Sequence, residues 1–301
     1  MTKNEIKGIS FSFLTAILIG VELIVVKLGL DKIDVLTVIW IQYSIAMIGF
    51  LLMTKGFNFD KQRLKKNYKM ILISSLAQLG NIVFLYHAIS ELFPDFVAMM
   101  ELSGDLFVIA GGILFLRESV AKTQKYGFVL VLIGIILYFN QTFSQVDSKH
   151  FNFGMLNLIL AELCWAVYAL TQKVLVKKEI PPCNLNLFTF LCTSIFLLPF
   201  VKFGHISSFD SRIWILISIA VIATLYTYTL FIQAFKYIDA GKVSVILAIS
   251  PFLTVLLIYI YNFFGETPIQ LVELNSLEVL GGILLFSGAV LSSWTPKTSK
   301  V

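Results

Sequence analysis

The chain has 301 residues, of which 58% are hydrophobic and 14% are charged, and its formal net charge is +5. Soluble domains are about a quarter charged, and a globular core of this size cannot bury so much apolar surface. The composition therefore excludes a soluble protein and indicates an integral membrane protein. Three cysteines without CxxC spacing favour neither a disulfide framework nor a zinc site.

Ten hydrophobic segments of about 17–25 residues are long enough to cross a bilayer as helices. Numbered as spans 1 to 10, they are residues 8–30, 35–54, 69–89, 94–116, 122–140, 153–174, 183–202, 211–235, 241–264 and 277–294. The polar start MTKNEIKGIS leads into a full-length span without a small-residue cleavage site, so we expect no signal peptide. The loops are short and leave no room for a soluble domain.

Basic residues are distributed unevenly over the loops and tails. If the N-terminus is cytoplasmic, the segments on that side carry 18 Lys and Arg and the opposite loops carry 4. Lys27 lies inside span 1, near enough to its end to snorkel to the interface. Cytoplasmic loops hold the excess of basic residues, so we predict a multi-pass protein of the cytoplasmic (inner) membrane with both termini cytoplasmic. The scattered positions of these residues argue against nucleic-acid binding.

The two halves of the chain resemble each other. Residues 97–118, at the end of span 4, align without gaps with residues 245–266, at the end of span 9, and spans 1 and 6 align as 17–27 with 163–173. The glycine spacing of span 5 recurs in span 10, at Gly127, Gly134, Gly281 and Gly288.

An odd number of spans separates the halves, so the second half must run in the opposite direction across the membrane. We therefore predict two inverted repeats, residues 8–140 (spans 1–5) and 153–294 (spans 6–10). Inverted repeats are typical of alternating-access transporters, whose substrate site lies near the midplane between the repeats.

Three elements resemble a known family: LCWAVYALTQK in span 6, SPFLTVLLIYIYNFFGE in span 9 and GGILLFSGAVL in span 10. Together with the repeats they resemble the drug/metabolite transporter superfamily, of the EamA type, over about residues 8–294. The resemblance implies an all-α fold of ten transmembrane helices around a central cavity, lined mainly by spans 1, 3, 4, 6, 8 and 9. It also implies secondary transport of small metabolites, often outward. The first half departs from the pattern at Ile19, where Trp is usual, and at Ser103, which aligns with Pro251.

Four acidic residues lie inside predicted spans: Glu22, Glu101, Asp105 and Glu162. A charge at the centre of a membrane helix costs at least about 2.5–3.5 kcal/mol, so such residues are usually functional. Glu101 and Asp105 are four residues apart, on one face of a continuous helix, and the second half has Ile249 and Leu253 in their places. The fold does not require these acids, and because two close anions repel, we expect one of them to hold a proton.

We interpret the acids as the lining of a cavity that accepts a positive group, with Glu101 and Asp105 as the proton-coupling pair. A structural cluster in which Glu101 bonds to Lys27 or Asn81 is the alternative, and Glu162 is equally suited to a helix–helix contact. The predicted substrate-binding residues, each with helix packing as its alternative, are Glu22, Gln78, Asn81, Glu101, Asp105, Trp165, Tyr168, Thr224 and Tyr228. Weaker candidates are Gln42, Tyr43 and His87.

These features predict a secondary active transporter that moves a small amine-bearing metabolite, an amino acid or an organic cation, by alternating access. Export is the direction that the resemblance implies. A flippase for lipid-linked sugars, or an auxiliary membrane subunit of the same fold, is the alternative. An enzyme is not expected, because HExxH, GxSxG and Walker A motifs are absent from the sequence. The predicted partners are a small-molecule substrate and the lipid bilayer, without cofactor or metal, in a monomer or homodimer.

Overall fold

The computed structural model describes residues 3–30, 33–53, 61–116, 122–138, 148–234, 237–238, 243, 246–264, 268–271 and 275–293. Within these ranges every predicted span contains at least one α-helix. The helices are Lys3–Leu30, Val35–Met53, Lys61–Glu91, Pro94–Glu101, Gly104–Leu116, Lys122–Tyr138, Ser148–Lys177, Pro182–Leu197, Phe203–Ile206, Ser211–Ala234, Ser250–Phe264 and Ser276–Ser293, with a 3₁₀ turn at Leu198–Phe200. Glu118 and Glu266, which end the aligned segments of spans 4 and 9, lie outside the described residues.

The length and composition of the helices are those of membrane spans. Among the described residues, six helices are long and apolar enough to cross a bilayer: Lys3–Gly29, Val35–Met53, Gln62–Glu91, His150–Val176, Cys183–Phe200 and Ser211–Ala234. Shorter apolar helices belong to spans 5, 9 and 10: Lys125–Tyr138, Ser250–Phe264 and Ser276–Gly288. A helix satisfies its own backbone hydrogen bonds, as hydrocarbon requires. The prediction of an all-α, multi-pass membrane protein is confirmed.

The packing of the helices shows the symmetry of the two repeats. Span 5 packs against span 10, and span 2 packs against span 7. Other contacts come in equivalent pairs. The contact of span 3 with span 6 corresponds to that of span 8 with span 1, and the contact of span 3 with span 7 corresponds to that of span 8 with span 2. The contact of span 4 with span 6 corresponds to that of span 9 with span 1. Exchanging each span with the one five later therefore maps one contact onto the other.

The same contact recurs at opposite ends of the bundle. A Cβ on Gly154, at the start of span 6, would lie 2.6 Å from Leu92, which follows the end of span 3. A Cβ on Gly8, at the start of span 1, would lie 2.8 Å from Ile238, which follows the end of span 8. Lys27, at the end of span 1, also contacts Leu92, so span 6 begins where span 1 ends. The two repeats therefore run in opposite directions, as predicted.

The glycines shared by spans 5 and 10 bring two backbones into direct contact. A Cβ on Gly288 would lie 2.7 Å from the carbonyl oxygen of Gly127, and one on Gly281 would lie 2.9 Å from that of Gly134. Small residues allow such an approach between membrane helices, where van der Waals packing is the main attraction. The repeated spacing in the sequence therefore serves a helix contact that joins the two repeats.

Spans 4 and 9 are each interrupted. Span 4 consists of Pro94–Glu101 and Gly104–Leu116, and between them the amide and hydroxyl of Ser103 both donate to the carbonyl oxygen of Met100, at 2.9 and 2.6 Å. In span 9 a turn precedes the helix Ser250–Phe264, with Pro251 as its second residue, where no amide hydrogen is needed. The expectation of a continuous helix through span 4 was wrong, because Ser103 caps the first helix locally.

The two ends of the bundle differ. The end at which Lys27 and Leu92 meet is termed the Lys27 end, and the opposite end is termed the Lys173 end, after the repeat-equivalent lysine of span 6. Span 1 packs against spans 3 and 4, and span 3 packs against span 4. Between the described helices, the contact of span 6 with span 8 is smaller than that of span 1 with span 3. Residues 242, 244 and 245, in the counterpart of the first helix of span 4, lie outside the described residues.

Candidate functional site

A hydrogen-bonded group, termed the Glu22 cluster, lies where spans 1, 2, 3 and 8 meet. Oε1 of Glu22 accepts hydrogen bonds from Nε2 of Gln42 at 2.8 Å and from Oγ1 of Thr224 at 3.0 Å. The hydroxyl of Tyr86 lies 3.1 Å from the same oxygen and 2.8 Å from Oε1 of Gln42, and its single hydrogen serves one of them at a time. Gln42, Tyr86 and Thr224 are all buried, so their positions are restricted.

The second carboxylate oxygen of Glu22 remains available. Its side chain is only half-buried, and all three hydrogen bonds described above go to Oε1. No donor among the described residues lies within hydrogen-bond distance of Oε2. A carboxylate that is oriented through one oxygen and unpaired at the other is suited to accept a proton or an N–H group from a ligand.

A second polar group adjoins the Glu22 cluster. Nε2 of Gln78 donates to the hydroxyl of Tyr228 and lies 3.5 Å from the hydroxyl of Tyr43, and the two hydroxyls are 3.4 Å apart. Tyr43 and Tyr228 both lie near enough to Glu22 to interact with its charge. Oε1 of Gln78 is buried and has no donor within the described ranges. Because buried polar atoms are usually paired, this oxygen is an acceptor for a further donor.

Glu101 is the last residue of the first helix of span 4, and it faces Glu22 closely enough for their charges to interact. Its half-buried carboxylate makes no hydrogen bond or ion pair with any residue that the structure describes. The break in span 4 separates it from Asp105, so regular helical spacing does not set their distance. The side chain of Asp105 lies outside the described part of the structure.

Aromatic residues of span 6 stand beside these acids. The rings of Trp165 and Tyr168 are 5.5 Å apart, and Trp165 is 6.3 Å from the ring of Phe231. Tyr168 is buried and interacts electrostatically with Tyr228. One turn earlier, Glu162 is buried, and its Oε2 occupies the space in which Gly104 would carry a Cβ. Trp165 and Tyr168 therefore adjoin the polar groups, whereas Glu162 contacts span 4.

The remaining candidates have other contacts. Nδ2 of Asn81 donates to the carbonyl oxygen of Ala161 at 3.0 Å, which joins spans 3 and 6. The ring of His87 is 6.3 Å from that of Phe153, and no described hydrogen bond links it to the Glu22 cluster. Lys27 does not simply snorkel: its ammonium donates to the carbonyl oxygens at the end of span 3, at Ile89, Ser90 and Leu92, at 2.7, 3.1 and 3.2 Å. A cation at a helix C-terminus satisfies carbonyls that lack helical partners.

Sequence reasoning missed Tyr86 and gave Gln42 too little weight. Tyr86 follows Gln78 by eight residues, and a helix places residues with this spacing on one face. That spacing was available in the sequence. Gln42 gave no comparable signal, because its role depends on how span 2 is rotated against span 1.

The chemistry of the combined site is that of an acceptor for cations. Two carboxylates with unpaired oxygens, one orphaned amide oxygen and several aromatic rings lie together between the repeats. Ammonium groups bind both to carboxylates and to aromatic faces. The described residues include no group of three His, Cys, Asp or Glu that could hold a metal ion.

Comparison with known proteins identifies the family. The sequence profile of the EamA-like transporter family matches residues 6–140 and, a second time, residues 152–294. The chain belongs to the EamA-like transporter family. The double match to an EamA-like transporter also confirms the resemblance to the drug/metabolite transporter superfamily.

Relatives of this EamA-like transporter share its full length. An uncharacterized transporter of Haemophilus influenzae is 23% identical over 299 residues, which cover 97% of this chain and 96% of that protein. The uncharacterized inner membrane transporter YhbE of Escherichia coli K12 is 25% identical over 296 residues, covering 95% and 91%. A protein of known crystal structure, 14% identical, superposes with a TM-score of 0.63 over 95% of this chain and 96% of its own, which supports the fold alone.

Proposed function

We propose that this EamA-like transporter is a secondary active carrier for a small amine-bearing metabolite. The observation that carries the proposal is the proximity of two carboxyl groups, Glu22 with one oxygen without a donor and Glu101 with neither oxygen bonded within the described residues, beside tyrosine hydroxyls and aromatic rings. Keeping acidic groups inside a membrane protein is costly, and a bound cation offsets that cost. The substrate-binding residues are Glu22, Gln78, Glu101, Asp105, Trp165, Tyr168, Thr224 and Tyr228, with Asn81 positioning span 3.

The carrier works by alternating access. The packing of span 1 against spans 3 and 4 supports a state that is closed at the Lys27 end. In this proposal the site is reached from the Lys173 end. Glu101 and Asp105 couple transport to protons, since a carboxylate that binds a proton loses its attraction for an ammonium group. Proton binding from one side then displaces the amine, and the two move in opposite directions.

The proposed direction of transport and the proposed membrane rest on the distribution of charge. The bias of Lys and Arg supports cytoplasmic termini, which places the Lys173 end on the cytoplasmic side. A relative that is named an inner membrane transporter supports the same location for this chain. An inward proton gradient then drives the amine outward.

The test uses purified protein in liposomes, with uptake of labelled tyramine and cadaverine driven by an imposed pH gradient. A hydrogen bond to a charged group is worth about 1.5–3 kcal/mol, so Glu22→Gln should lower uptake about 10- to 100-fold, and Glu101→Gln should do the same. In Glu101→Gln, gradient-driven uptake should fall further than the exchange of labelled for unlabelled amine in the absence of a gradient. Exchange is less affected because it requires no net proton movement.

The matched control is Glu179→Gln. Glu179 is an exposed acid that pairs with Arg63 outside the site, at 2.8 Å. This variant should transport at the wild-type rate. Wild-type uptake in both Glu22→Gln and Glu101→Gln, or no uptake of any amine by the unmodified protein, would overturn the proposal.

A further inference from the structure

An amino acid and a simple amine make different demands on a binding site. A zwitterion brings a carboxylate as well as an ammonium group, so its site must hold an anion and a cation together. Transporters with interrupted helices bind substrate carboxylates at the N-termini of the half-helices, where amide hydrogens point outward. The availability of these termini therefore distinguishes the two substrate classes.

In span 4 this terminus is already covered by the protein. The second helix of the span begins at Gly104, three residues after Glu101. Oε2 of Glu162 lies against Gly104, and Cδ1 of Trp165 lies 3.6 Å from the position of a Cβ there. Glu162 is only 4% exposed, so its carboxyl group stays at this position and occupies the space that a substrate carboxylate would need.

In span 9 the equivalent terminus is closed by packing. The helix begins at Ser250, which is buried, and its second residue, Pro251, has no amide hydrogen to offer. One turn further on, Thr254 is fully buried against span 1, where a Cβ on Gly20 would lie 2.9 Å from its Oγ1. A substrate carboxylate has no access to this terminus in the observed conformation.

Positive side chains do not supply an anion site either. The ammonium of Lys27 is held by three carbonyl oxygens at the end of span 3. Neither Glu22 nor Glu101 is paired with Lys or Arg within the described chain. Within the described residues, the side chains that adjoin Glu22 and Glu101 therefore include hydroxyls, amides and aromatic rings but no cation to match a substrate carboxylate.

From these observations we infer that the substrate is an organic cation without a carboxylate, and that Glu162 is the residue that excludes zwitterions. The inference rests on the proposed function and selects one of its two substrate classes. Glu162 acts as a specificity-determining residue: it fills an anion site that would otherwise favour amino acids.

The test compares each amine with its parent amino acid, which differs only by the carboxylate. The pairs are tyramine with tyrosine, cadaverine with lysine, and agmatine with arginine. In liposomes with an imposed pH gradient, the amine should be transported at least about tenfold faster than its partner, since an unmatched buried charge costs more than about 1.4 kcal/mol. Equal or faster transport of the amino acids would overturn the inference but leave the proposed function intact. Transport of neither member would refute both.

Variants of Glu162 separate specificity from mere stability. Glu162→Gln keeps the shape but replaces one carboxyl oxygen by an N–H donor that can bind a carboxylate, so it should reduce the amine-to-amino-acid ratio several-fold. Glu162→Ala should reduce it further by exposing the terminus. Because the readout is a ratio within one preparation, a lower yield of folded protein does not mimic the effect. Glu91→Gln, at the surface, should leave the ratio unchanged. A ratio that is unchanged in Glu162→Gln would remove Glu162 from the proposal.

Discussion

The Lys27 end and the Lys173 end are built from equivalent helices, but their two lysines differ in exposure. At the Lys27 end, span 1 reaches spans 3 and 4, and Lys27 holds the last carbonyls of span 3. Lys173 occupies the equivalent position in span 6, and its side chain is exposed. The sequence therefore gives each end an equivalent lysine, and in the first repeat that lysine holds the end of span 3. We infer that opening of the Lys27 end requires Lys27 to release these carbonyls.

The largest effect is expected when the contact between spans 5 and 10 is disrupted, because this contact joins the two repeats and therefore affects both ends. Gly134→Leu places a side chain where the backbone of span 10 lies, since a Cβ alone would be 2.8 Å from the carbonyl oxygen of Gly281. Overpacking typically lowers the free energy of unfolding by about 1–3 kcal/mol. The added side chain meets the backbone of span 10, which cannot move aside as a flexible side chain could, so we expect a loss near the upper limit. We expect a large loss of folded protein and a lower melting temperature in detergent.

Gly204→Leu is the control, because no atom lies within 4 Å of a Cβ at that position. It should fold at nearly the wild-type yield. If Gly134→Leu were equally well folded, the close contact between spans 5 and 10 would not be what joins the repeats.

The two ends can be compared directly by substituting the lysine of one end at a time. Lys27→Met removes three hydrogen bonds from a charged donor, each worth about 1.5–3 kcal/mol at most, and should open the Lys27 end. Val38 is only 5% exposed and lines a small cleft together with Gln42. The variant Val38→Cys, in a chain without its native cysteines, reports whether this cleft becomes accessible to water. A water-soluble thiol reagent should label this position at least about tenfold faster in Lys27→Met, as a population shift of that free energy requires.

Lys173→Met is the matched comparison, and it should label no faster than the parent. Faster labelling in Lys173→Met, or equal labelling in all three proteins, would contradict the assignment of the closed end.

The smallest effect is expected for a surface ion pair at the same end. Nδ1 of His150 lies 2.5 Å from Oε2 of Glu91, with the two side chains 62% and 25% exposed. Exposed pairs contribute about 0–1 kcal/mol, so Glu91→Gln should change neither the labelling rate at position 38 nor the melting temperature by a measurable amount. An effect as large as that of Lys27→Met would show that this pair, rather than the buried lysine, closes the Lys27 end.

The spans were predictable because hydrocarbon imposes a strong and simple demand, about 20 apolar residues for each crossing. The helices extend further where their ends leave the apolar core, as in Lys61–Glu91 and Ser148–Lys177. The break in span 4 was not predicted. The hydroxyl of Ser103 bonds to the backbone carbonyl oxygen of Met100, and a hydrophobic pattern carries no information about such a bond.

The site was only partly predictable. Glu22 and Glu101 could be chosen because burial of acids is costly, which makes their presence informative in any single sequence. Tyr86 and the contacts of Lys27 could not be assigned in this way, because tyrosine and lysine are common near membrane interfaces. Their partners depend on the rotation and depth of neighbouring helices, which are set by packing across the whole bundle.

Thr224 gives the Glu22 cluster a further property. It belongs to the second repeat, whereas Glu22, Gln42 and Tyr86 belong to the first, and its hydroxyl is 3.0 Å from Glu22. A relative displacement of the repeats by about 1 Å carries that bond beyond hydrogen-bonding range. Ionised Glu22 strengthens the bond and neutral Glu22 weakens it. The protonation state of Glu22 and the relative position of the two repeats are thus linked through the hydroxyl of Thr224.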